Sequence, residues 1–242
     1  MVQYESSAVL MYQVLAEFYD ELVKDDSATA LWVDFVVTHG NLGNILEVAA
    51  GTGEISIALA KKGYQVLATD LSENMLALAR QKPEANLVSF QKVNLLEIDY
   101  QAQFDNVICF CDSLNYLASL QELEDFFNKA YLALKNEGKL LFDILSKDRL
   151  KEFLEPFIEE GKVSLGEYQW VIETHQNTLQ HHFTFWVEDK ILTEVHQQIV
   201  FDIFEIQRIL KEVGFTFKFY TDFTKSGIKE GERYLIVAQK NI

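Results

Sequence analysis

Residues Ile45–Arg80, ILEVAAGTGEISIALAKKGYQVLATDLSENMLALAR, contain the clearest structural pattern in this chain. A short apolar run over Ile45–Val48 predicts a strand, and apolar residues at helical spacing over Ile55–Lys62 predict a helix after a glycine turn. The next apolar run, Tyr64–Ala68, predicts a second strand, which another helix over Ser72–Arg80 follows. The order strand, glycine turn, helix, strand and helix is typical of one half of a nucleotide-binding α/β fold.

Two features of this stretch indicate that it binds an adenosine. Gly51 and Gly53 allow positive φ angles and let a ligand approach the backbone closely. Asp70 follows the turn by about 20 residues, where a carboxylate commonly accepts hydrogen bonds from both hydroxyls of a ribose. We therefore expect the turn and Asp70 to hold one adenosine between them.

The letters around the glycine turn permit two interpretations. Starting at Gly51, the segment GTGEIS is G-x-G-x-x-S, one small residue away from the dinucleotide-binding fingerprint. Starting at Glu47, the segment is E-x-A-x-G-x-G, an acid on the first strand followed by alternating small residues. A carboxylate below the turn would repel a pyrophosphate and attract a cation. The charge of Glu47 therefore favours a cationic adenosine ligand.

The pattern that begins at Glu47 resembles motif I of the class I S-adenosylmethionine-dependent methyltransferases. S-Adenosylmethionine carries a sulfonium and an ammonium group but no phosphate, so it agrees with the charge argument. The resemblance covers nearly the whole chain and includes an N-terminal segment similar to a bacterial subgroup that also resembles amino-sugar N-methyltransferases. The further similar segments are LAEFYDELV (15–23), FDNVICFCDSLNYL (Phe104–Leu117), EGKLLFDILS (Glu137–Ser146), GFTFKFYTDF (214–223) and ERYLIVAQK (232–240).

The chain departs from the family pattern beside the turn and after the third predicted strand. Ala49 and Ala50 stand where the family usually has glycine, and Asn94 stands where aspartate is common. The alanines narrow the turn and Asn94 removes a charge, although an asparagine side chain or backbone amides can still contact adenine. These differences put the affinity for the cofactor in question.

The resemblance and the predicted strand ends imply a cofactor site and an acceptor site. The residues assigned to the cofactor are Tyr19, Glu47, Ala49, Ala50, Gly51, Thr52, Gly53, Asp70, Leu71, Met75, Asn94, Leu95, Cys111 and Asp112. The residues assigned to the acceptor are Tyr116, Trp170, Glu194 and His196.

Methyl transfer from a sulfonium is an in-line displacement with an activated donor, so positioning and exclusion of water supply much of the acceleration. A protonated amine acceptor must first lose a proton, and a base would help. Asp112 and His196 are the candidates for a catalytic base, and Glu194 shares one side of a strand with His196. The alternatives are that Asp112 caps its loop or contacts the methionine part, and that the strand residues face solvent.

We predict one α/β domain over residues 1–242, built on a Rossmann-like, seven-stranded, mostly parallel sheet whose last strand is antiparallel. A small antiparallel β insertion follows the fifth strand. The predicted parts are a helical N-terminal cap (1–40), a cofactor-binding core (41–146), the insertion (147–201), and a closing helix with strands (202–242).

The insertion is predicted from three β-rich runs, Tyr168–Thr174, Gln180–Glu188 and Ile191–Phe201. Since ligands bind at the carboxyl ends of parallel strands, we expect this insertion to cover the acceptor. The alternative is a dimerisation sheet, which would make the protein a homodimer.

Aromatic residues of the N-terminal segment are expected to close over the ligand on an amphipathic helix. These residues are Tyr4, Tyr12, Phe18 and Tyr19, with core packing as the alternative for Phe18.

Composition restricts the partners. The chain has 37 acidic and 21 basic residues and a formal net charge of -16, which disfavours a nucleic-acid substrate. It has no apolar run of about 18 residues and no secretion signal, so we predict no membrane association and a cytoplasmic location. Cys109 and Cys111 are expected to be free thiols on one face of a strand, and the scattered histidines predict no metal site.

Three functions remain open from these residues. The first is a methyltransferase that acts on nitrogen or oxygen of a small molecule. The second is an NAD(P)-dependent oxidoreductase on the same half-fold, and the third is a cofactor-binding protein without transferase activity. Glu47 and the closing antiparallel strands favour the first over the second.

Overall fold

The structure is a computed structural model that describes residues 15–241. Over these residues the chain alternates helices and strands before a β-rich segment interrupts the pattern. The strands are β1 (Asn44–Val48), β2 (Gln65–Asp70), β3 (Val88–Lys92), β4 (Phe104–Cys109), β5 (Leu134–Leu145), β6 (Phe157–Val163), β7 (Gly166–His175), β8 (Thr178–Val187), β9 (Lys190–Ile199), β10 (Phe215–Thr221), β11 (Lys225–Ser226) and β12 (Arg233–Lys240). The helices are α1 (Leu15–Val23), α2 (Asp26–His39), α3 (Glu54–Lys61), α4 (Glu73–Gln81), α5 (Leu120–Ala133), α6 (Lys147–Glu152) and α7 (Ile203–Val213).

The central sheet has the strand order β11-β10-β12-β5-β4-β1-β2-β3. The pairs among β1 to β5 are parallel, and β12 is antiparallel to both β5 and β10. The predicted Rossmann-like sheet with an antiparallel last strand is confirmed, with the two-residue β11 as an addition at one edge. Because the chain leaves β1 toward one edge and returns at β4 toward the other, the carboxyl ends of these strands form the crevice where ligands bind in such sheets.

Alternating side chains of the strands divide the core between the two faces of the sheet. On β1, Leu46 packs with Phe126 of α5 and Ile206 of α7, whereas its neighbour Ile45 packs with Trp32 of α2 and Leu59 of α3. Consecutive strand residues point to opposite faces, so this apolar strand must be covered by helices on both sides. The helices hold the carboxyl ends of the strands in fixed positions.

Helix ends follow the signals in the sequence. Ser72, Ser119 and Asp202 each accept a hydrogen bond from a backbone N–H in the first turn of α4, α5 and α7. Gly214 adopts a φ of 110° and ends α7, as predicted. These caps satisfy backbone donors that a helix cannot satisfy itself.

The insertion contains one strand more than the three β-rich runs predicted. Strands β6 to β9 form a separate antiparallel sheet in chain order, and α6 connects it to β5. In β6, FIEEGKV, only Val163 is buried, so the sequence shows no alternation of apolar and polar residues. This edge strand pairs with β7 through its backbone, and its side chains therefore give little indication of a strand in the sequence.

Within residues 15–241, no helix has both the length and the apolar character needed to cross a membrane.

Candidate functional site

The turn after β1 has left-handed backbone at three positions. Ala49 and Gly51 each have a φ of 55°, and Gly53 has a φ of 74°. A Cβ atom at Gly53 would lie 3.0 Å from the Phe90 ring and 3.2 Å from Ala79, whereas one at Gly51 would meet open space. Gly53 is thus required by packing, and Gly51 leaves room for a ligand beside the backbone. Ala49 adopts the same conformation at a cost of roughly 1–2 kcal/mol.

Asp70 ends β2 and is tied to the turn. Its Oδ2 atom accepts a hydrogen bond from the Gly51 N–H at 2.8 Å, and its Oδ1 atom accepts one from the Ser72 N–H at 2.7 Å. Burial raises the pKa of Asp70, and these N–H groups oppose that rise. The structure therefore brings Asp70 and the glycine turn together, as the spacing predicts.

Glu47 lies beneath the turn and is only 3% exposed. The Ser56 hydroxyl, in the first half of α3, donates a hydrogen bond to its carboxyl group. Burial raises the pKa of Glu47 to about 8; Asp70 adds to the rise and the Ser56 hydrogen bond opposes it. An approaching cation would favour the ionised form of this acid.

Other residues assigned to the cofactor lie after β2 and β3. Leu71 is 37% exposed at the end of β2, whereas Met75 is buried on α4. Asn94 follows β3 and caps a short 3₁₀ turn that includes Leu95, because its side-chain oxygen accepts a hydrogen bond from the Leu96 N–H at 2.9 Å.

Asp112 belongs to a partly buried charge cluster that the sequence predicted only in part. Arg233 Nη1 lies 3.1 Å from Asp112 Oδ1 and 2.8 Å from Asp143 Oδ2, and its guanidinium stacks 5.3 Å from the Trp32 ring centre. Burial opposes the charge of Arg233, but the two carboxylates outweigh it and raise the pKa of Arg233. Asp143 is an aspartate within the apolar run LLFDIL, a pattern that indicates a buried carboxyl group in need of a partner.

The two cysteines do not share a strand face. Strand β4 ends at Cys109, which is buried, and Cys111 is exposed in the following turn with a φ of 60°. The same-face prediction is wrong because the backbone becomes left-handed after the strand. Both thiols are free, as expected.

The acceptor residues Tyr116, Glu194 and His196 form one chain of hydrogen bonds. Tyr116 ends a 3₁₀ turn after β4, and its hydroxyl lies 3.2 Å from His196 Nδ1. The other ring nitrogen, Nε2, lies 2.6 Å from Glu194 Oε1. The His196 side chain is 1% exposed and that of Glu194 is 9% exposed. The chain thus joins the carboxyl end of β4 to the inner face of the insertion.

Trp170 lies in a second chain of hydrogen bonds, which includes two residues that the sequence analysis did not assign to the site. Its indole N–H donates to His181 Nδ1 at 3.2 Å, and His181 Nε2 lies 3.0 Å from Gln198 Oε1. The Gln198 amide donates to the Asp112 carbonyl at 3.5 Å. Burial lowers the pKa of His181 to about 4 against the opposing Gln198 hydrogen bond, so this histidine is neutral. The chain connects the insertion to the loop after β4.

Helix α1 contacts both the insertion and the cofactor residues. Phe18 stacks on Phe185 of β8 with ring centres 4.8 Å apart. Asp20 accepts a hydrogen bond from the Thr52 hydroxyl at 2.7 Å and pairs with Lys82 at 2.7 Å. Burial raises the pKa of Tyr19, and nearby Cys111, Tyr116 and Asp70 add to that rise. Tyr19 therefore lies between the two sites, while Tyr4 and Tyr12 fall outside the described residues.

Comparison with known proteins identifies the family. Residues 45–138 match the family model described as "Methyltransferase domain". A protein of Geobacillus sp. (strain WCH70) that carries the name "Putative methyltransferase GWCH70_2453" is 35% identical over 248 residues, 96% of this chain and 100% of the relative. The chain belongs to the class I S-adenosylmethionine-dependent methyltransferases.

Solved structures share the fold of this methyltransferase. An S-adenosylmethionine-dependent methyltransferase from Clostridium acetobutylicum ATCC 824 has a TM-score of 0.80 at 22% identity and covers 94% of this chain and 98% of its own. The sugar N-methyltransferase KedS8 from Streptoalloteichus sp. ATCC 53650 has a TM-score of 0.75 at 21% identity and covers 100% and 97%.

The residues present fit the cofactor of this family, S-adenosylmethionine. The open space beside Gly51 and the acid that its N–H contacts suit an adenosine, and buried Glu47 suits a cation in place of a pyrophosphate. The oxidoreductase alternative is therefore set aside. Among residues 15–241, no group of three or more His, Cys, Asp or Glu side chains could hold a metal ion.

Proposed function

We propose that this methyltransferase methylates nitrogen or oxygen of a small molecule bound between the carboxyl edge of the central sheet and the insertion. The contact between Tyr116 and His196 carries this proposal. It brings the inner face of the insertion to the edge of the sheet where Asp70 and the glycine turn lie. An acceptor seated there would be close to the cofactor and shielded from water.

The cofactor residues divide the work in this proposal. When bound, S-adenosylmethionine supplies an activated methyl group. Asp70 accepts hydrogen bonds from the ribose hydroxyls, the turn from Ala49 to Gly53 contacts the adenosine, and Glu47 attracts the ammonium group through the turn. Leu71, Met75, Asn94, Leu95 and Cys111 line the adenine and methionine ends, and Tyr19 closes over them.

In this proposal Asp112 binds the cofactor. The alternative is that Asp112 acts as the catalytic base. Its carboxylate accepts a hydrogen bond from Arg233, so one of its oxygens already has a partner. The negative charge of this carboxylate suits the ammonium group of a methionine.

The insertion covers the acceptor in this proposal, and Trp170 excludes water there. The insertion lies over the sheet edge, and this favours a role as a cover rather than as a surface used only for dimerisation. A homodimer is compatible with both roles. We further propose that the four parts 1–40, 41–146, 147–201 and 202–242 act as one domain, in the cytoplasm, on a substrate that is neither nucleic acid nor membrane lipid.

The test begins with calorimetric titration of the protein with S-adenosylmethionine, S-adenosylhomocysteine and NAD. We expect both sulfur ligands to bind and NAD to remain unbound. A screen of amines, hydroxylated metabolites and carboxylates then follows release of S-adenosylhomocysteine. Methylation of a protein or RNA with no turnover of small molecules would overturn the acceptor class.

A further inference from the structure

We propose that the acceptor is an amine and that Tyr116 removes its proton through His196 and Glu194. This inference rests on the proposed function and names the substrate class of that same site. The hydrogen-bonded chain runs from Tyr116 Oη to His196 Nδ1 over 3.2 Å, and from His196 Nε2 to Glu194 Oε1 over 2.6 Å. Its inner two members are almost fully buried, so the chain is held in one geometry.

Glu194 sets the direction of this chain. An ionised carboxylate only accepts hydrogen bonds, so the proton on the imidazole lies on Nε2. The Nδ1 atom then carries a lone pair and accepts the hydrogen bond from the Tyr116 hydroxyl. A phenolic hydroxyl can give up one proton while its oxygen accepts another, as a hydroxyl is both donor and acceptor. This is the arrangement in which a carboxylate and a histidine activate a hydroxyl group.

Tyr116 is the member of the chain that can touch an acceptor. It follows β4 at the carboxyl edge of the sheet, and it lies close enough to Tyr19 to contribute, after burial, to the raised pKa of that phenol, as Asp70 also does. Tyr116 is thus on the cofactor side, whereas His196 is enclosed by the insertion. Tyr116 is the catalytic residue, and His196 and Glu194 act through it as positioning residues.

The proton transfer conserves atoms and charge. An acceptor ammonium gives one proton to Tyr116 Oη while the phenolic proton passes to His196 Nδ1. This leaves a neutral amine, an intact tyrosine and an imidazolium paired with Glu194. The amine lone pair then attacks the methyl carbon, and the C–N bond forms as the C–S bond breaks to give S-adenosylhomocysteine. The imidazolium returns its proton to solvent before the next turnover.

The charges around the chain favour a cationic acceptor. Acidic residues outnumber basic residues near the hydrogen-bonded chain, and their negative charge attracts an ammonium more than a carboxylate. A carboxylate acceptor also has no proton for the chain to remove. Two titratable neighbours interact directly with members of the hydrogen-bonded chain: Tyr19 of α1 with Tyr116, and His181 of β8 with His196. The groups that act in turn on these two neighbours are Asp20, Asp70 and Cys111 at Tyr19, and Asp112 and Arg149 at His181.

The first test is NMR of ¹⁵N-histidine-labelled protein saturated with S-adenosylhomocysteine. We expect the His196 proton on Nε2 and a hydrogen-bonded Nδ1 whose resonance shifts in Tyr116→Phe. The matched control is His182→Gln: His182 lies 3.4 Å from Glu173 on the outer face of the same sheet, and its replacement should leave the His196 resonances in place. A proton found on Nδ1 would overturn the proposal, because Tyr116 would then accept from His196. Failure to bind S-adenosylhomocysteine would count against the proposed function instead.

The second test compares amine acceptors with matched oxygen acceptors. Glycine, sarcosine, ethanolamine and a nucleotide-linked amino sugar are tested against glycolate, ethylene glycol and the corresponding hydroxyl sugar. We expect turnover of an amine only. Tyr116→Phe and His196→Gln should lower kcat about 100-fold at pH 7, and the loss should shrink toward a pH of about 10, where an amine loses its proton unaided.

Unchanged activity in His182→Gln controls for general damage to the insertion, and S-adenosylhomocysteine affinity controls for folding of the variants. An equal loss at every pH would assign the chain a structural role and overturn the proposal. Methylation of a hydroxyl or carboxylate acceptor alone would overturn the substrate class.

Discussion

Gly51 donates its backbone N–H to Asp70 Oδ2 over 2.8 Å, although the two residues belong to the ends of different strands. Gly51 lies in the turn after β1 and Asp70 ends β2. The hydrogen bond therefore sets the distance between the turn and the acid before any ligand arrives. A site arranged in this way loses little conformational freedom when it binds.

Replacing Asp70 by alanine should weaken S-adenosylhomocysteine binding by about 1–3 kcal/mol, because the ribose hydroxyls and the turn both lose their acceptor. Calorimetry measures the change. Asp105→Ala is the control, since this carboxylate accepts a hydrogen bond from the Asn44 N–H at 2.8 Å at the opposite end of β1. Equal affinities of wild type and Asp70→Ala would remove Asp70 from the cofactor site.

Glu47→Gln should make the stability of the ligand-free protein less dependent on pH. The folded-state pKa of Glu47 is raised from 4.5 to about 8, so between these values the carboxyl is neutral when folded and ionised when unfolded. Its contribution to the free energy of unfolding is present below the unfolded pKa and is lost as pH rises, by up to about 1.4 kcal/mol per pH unit. Urea unfolding at pH 5, 6.5 and 8 tests this, and parallel profiles for variant and wild type would contradict it.

Local parts of this fold could be predicted from the sequence because their signals are local. Ser119 and Asp202 precede helices by capping rules that act within one turn, and Gly51 and Asp70 follow strands at a spacing set by one helix. Strand β6 could not be predicted in this way, since its neighbour β7 holds it by backbone pairing.

Long-range parts of the site required the topology. Tyr116 and His196 were each proposed from strand ends and strand phase, but they are 80 residues apart and nothing local predicts their contact. Arg233 is 121 residues from Asp112 and reaches it because β12 pairs with β5 beside β4. A single arginine at the start of a strand carries no signal for such a partner.

Arg233→Met should lower the free energy of unfolding by about 3–5 kcal/mol, because Asp143 is fully buried and would lose the guanidinium that donates a hydrogen bond to it. Urea unfolding at pH 7 measures the loss. Arg208→Met is the matched control: this exposed arginine pairs with Glu205 and Glu212 on the surface of α7, and its removal should leave the midpoint close to wild type. An unchanged midpoint for Arg233→Met would show that the cluster does not stabilise the fold.

Trp170→Ala should reduce turnover of the acceptor while S-adenosylhomocysteine affinity stays within about threefold of wild type. The indole donates to His181 and stacks on Phe183 with ring centres 5.1 Å apart, so its loss opens the insertion without touching the glycine turn. Enzyme assays and light scattering are run on the same preparation. Normal turnover with a smaller mass in solution would identify the insertion as a subunit interface.

Asp20→Asn should speed dissociation of S-adenosylhomocysteine several-fold, because it weakens the contacts of α1 with Thr52 and Lys82. Stopped-flow displacement measures the rate. Asp26→Asn serves as the control, since this exposed aspartate is 3.8 Å from Lys24 and does not contact the turn. If both variants release the ligand at the wild-type rate, α1 does not control exchange.

The two contacts of α1 also affect how many methyl groups one acceptor receives in a single binding event. Phe18 holds the insertion and Asp20 holds the glycine turn, so one helix closes both the acceptor side and the cofactor side. An opening that exchanges the spent cofactor therefore frees the methylated product as well. We expect repeated methylation of one nitrogen to be distributive, with the singly methylated compound accumulating in solution before any doubly methylated compound forms.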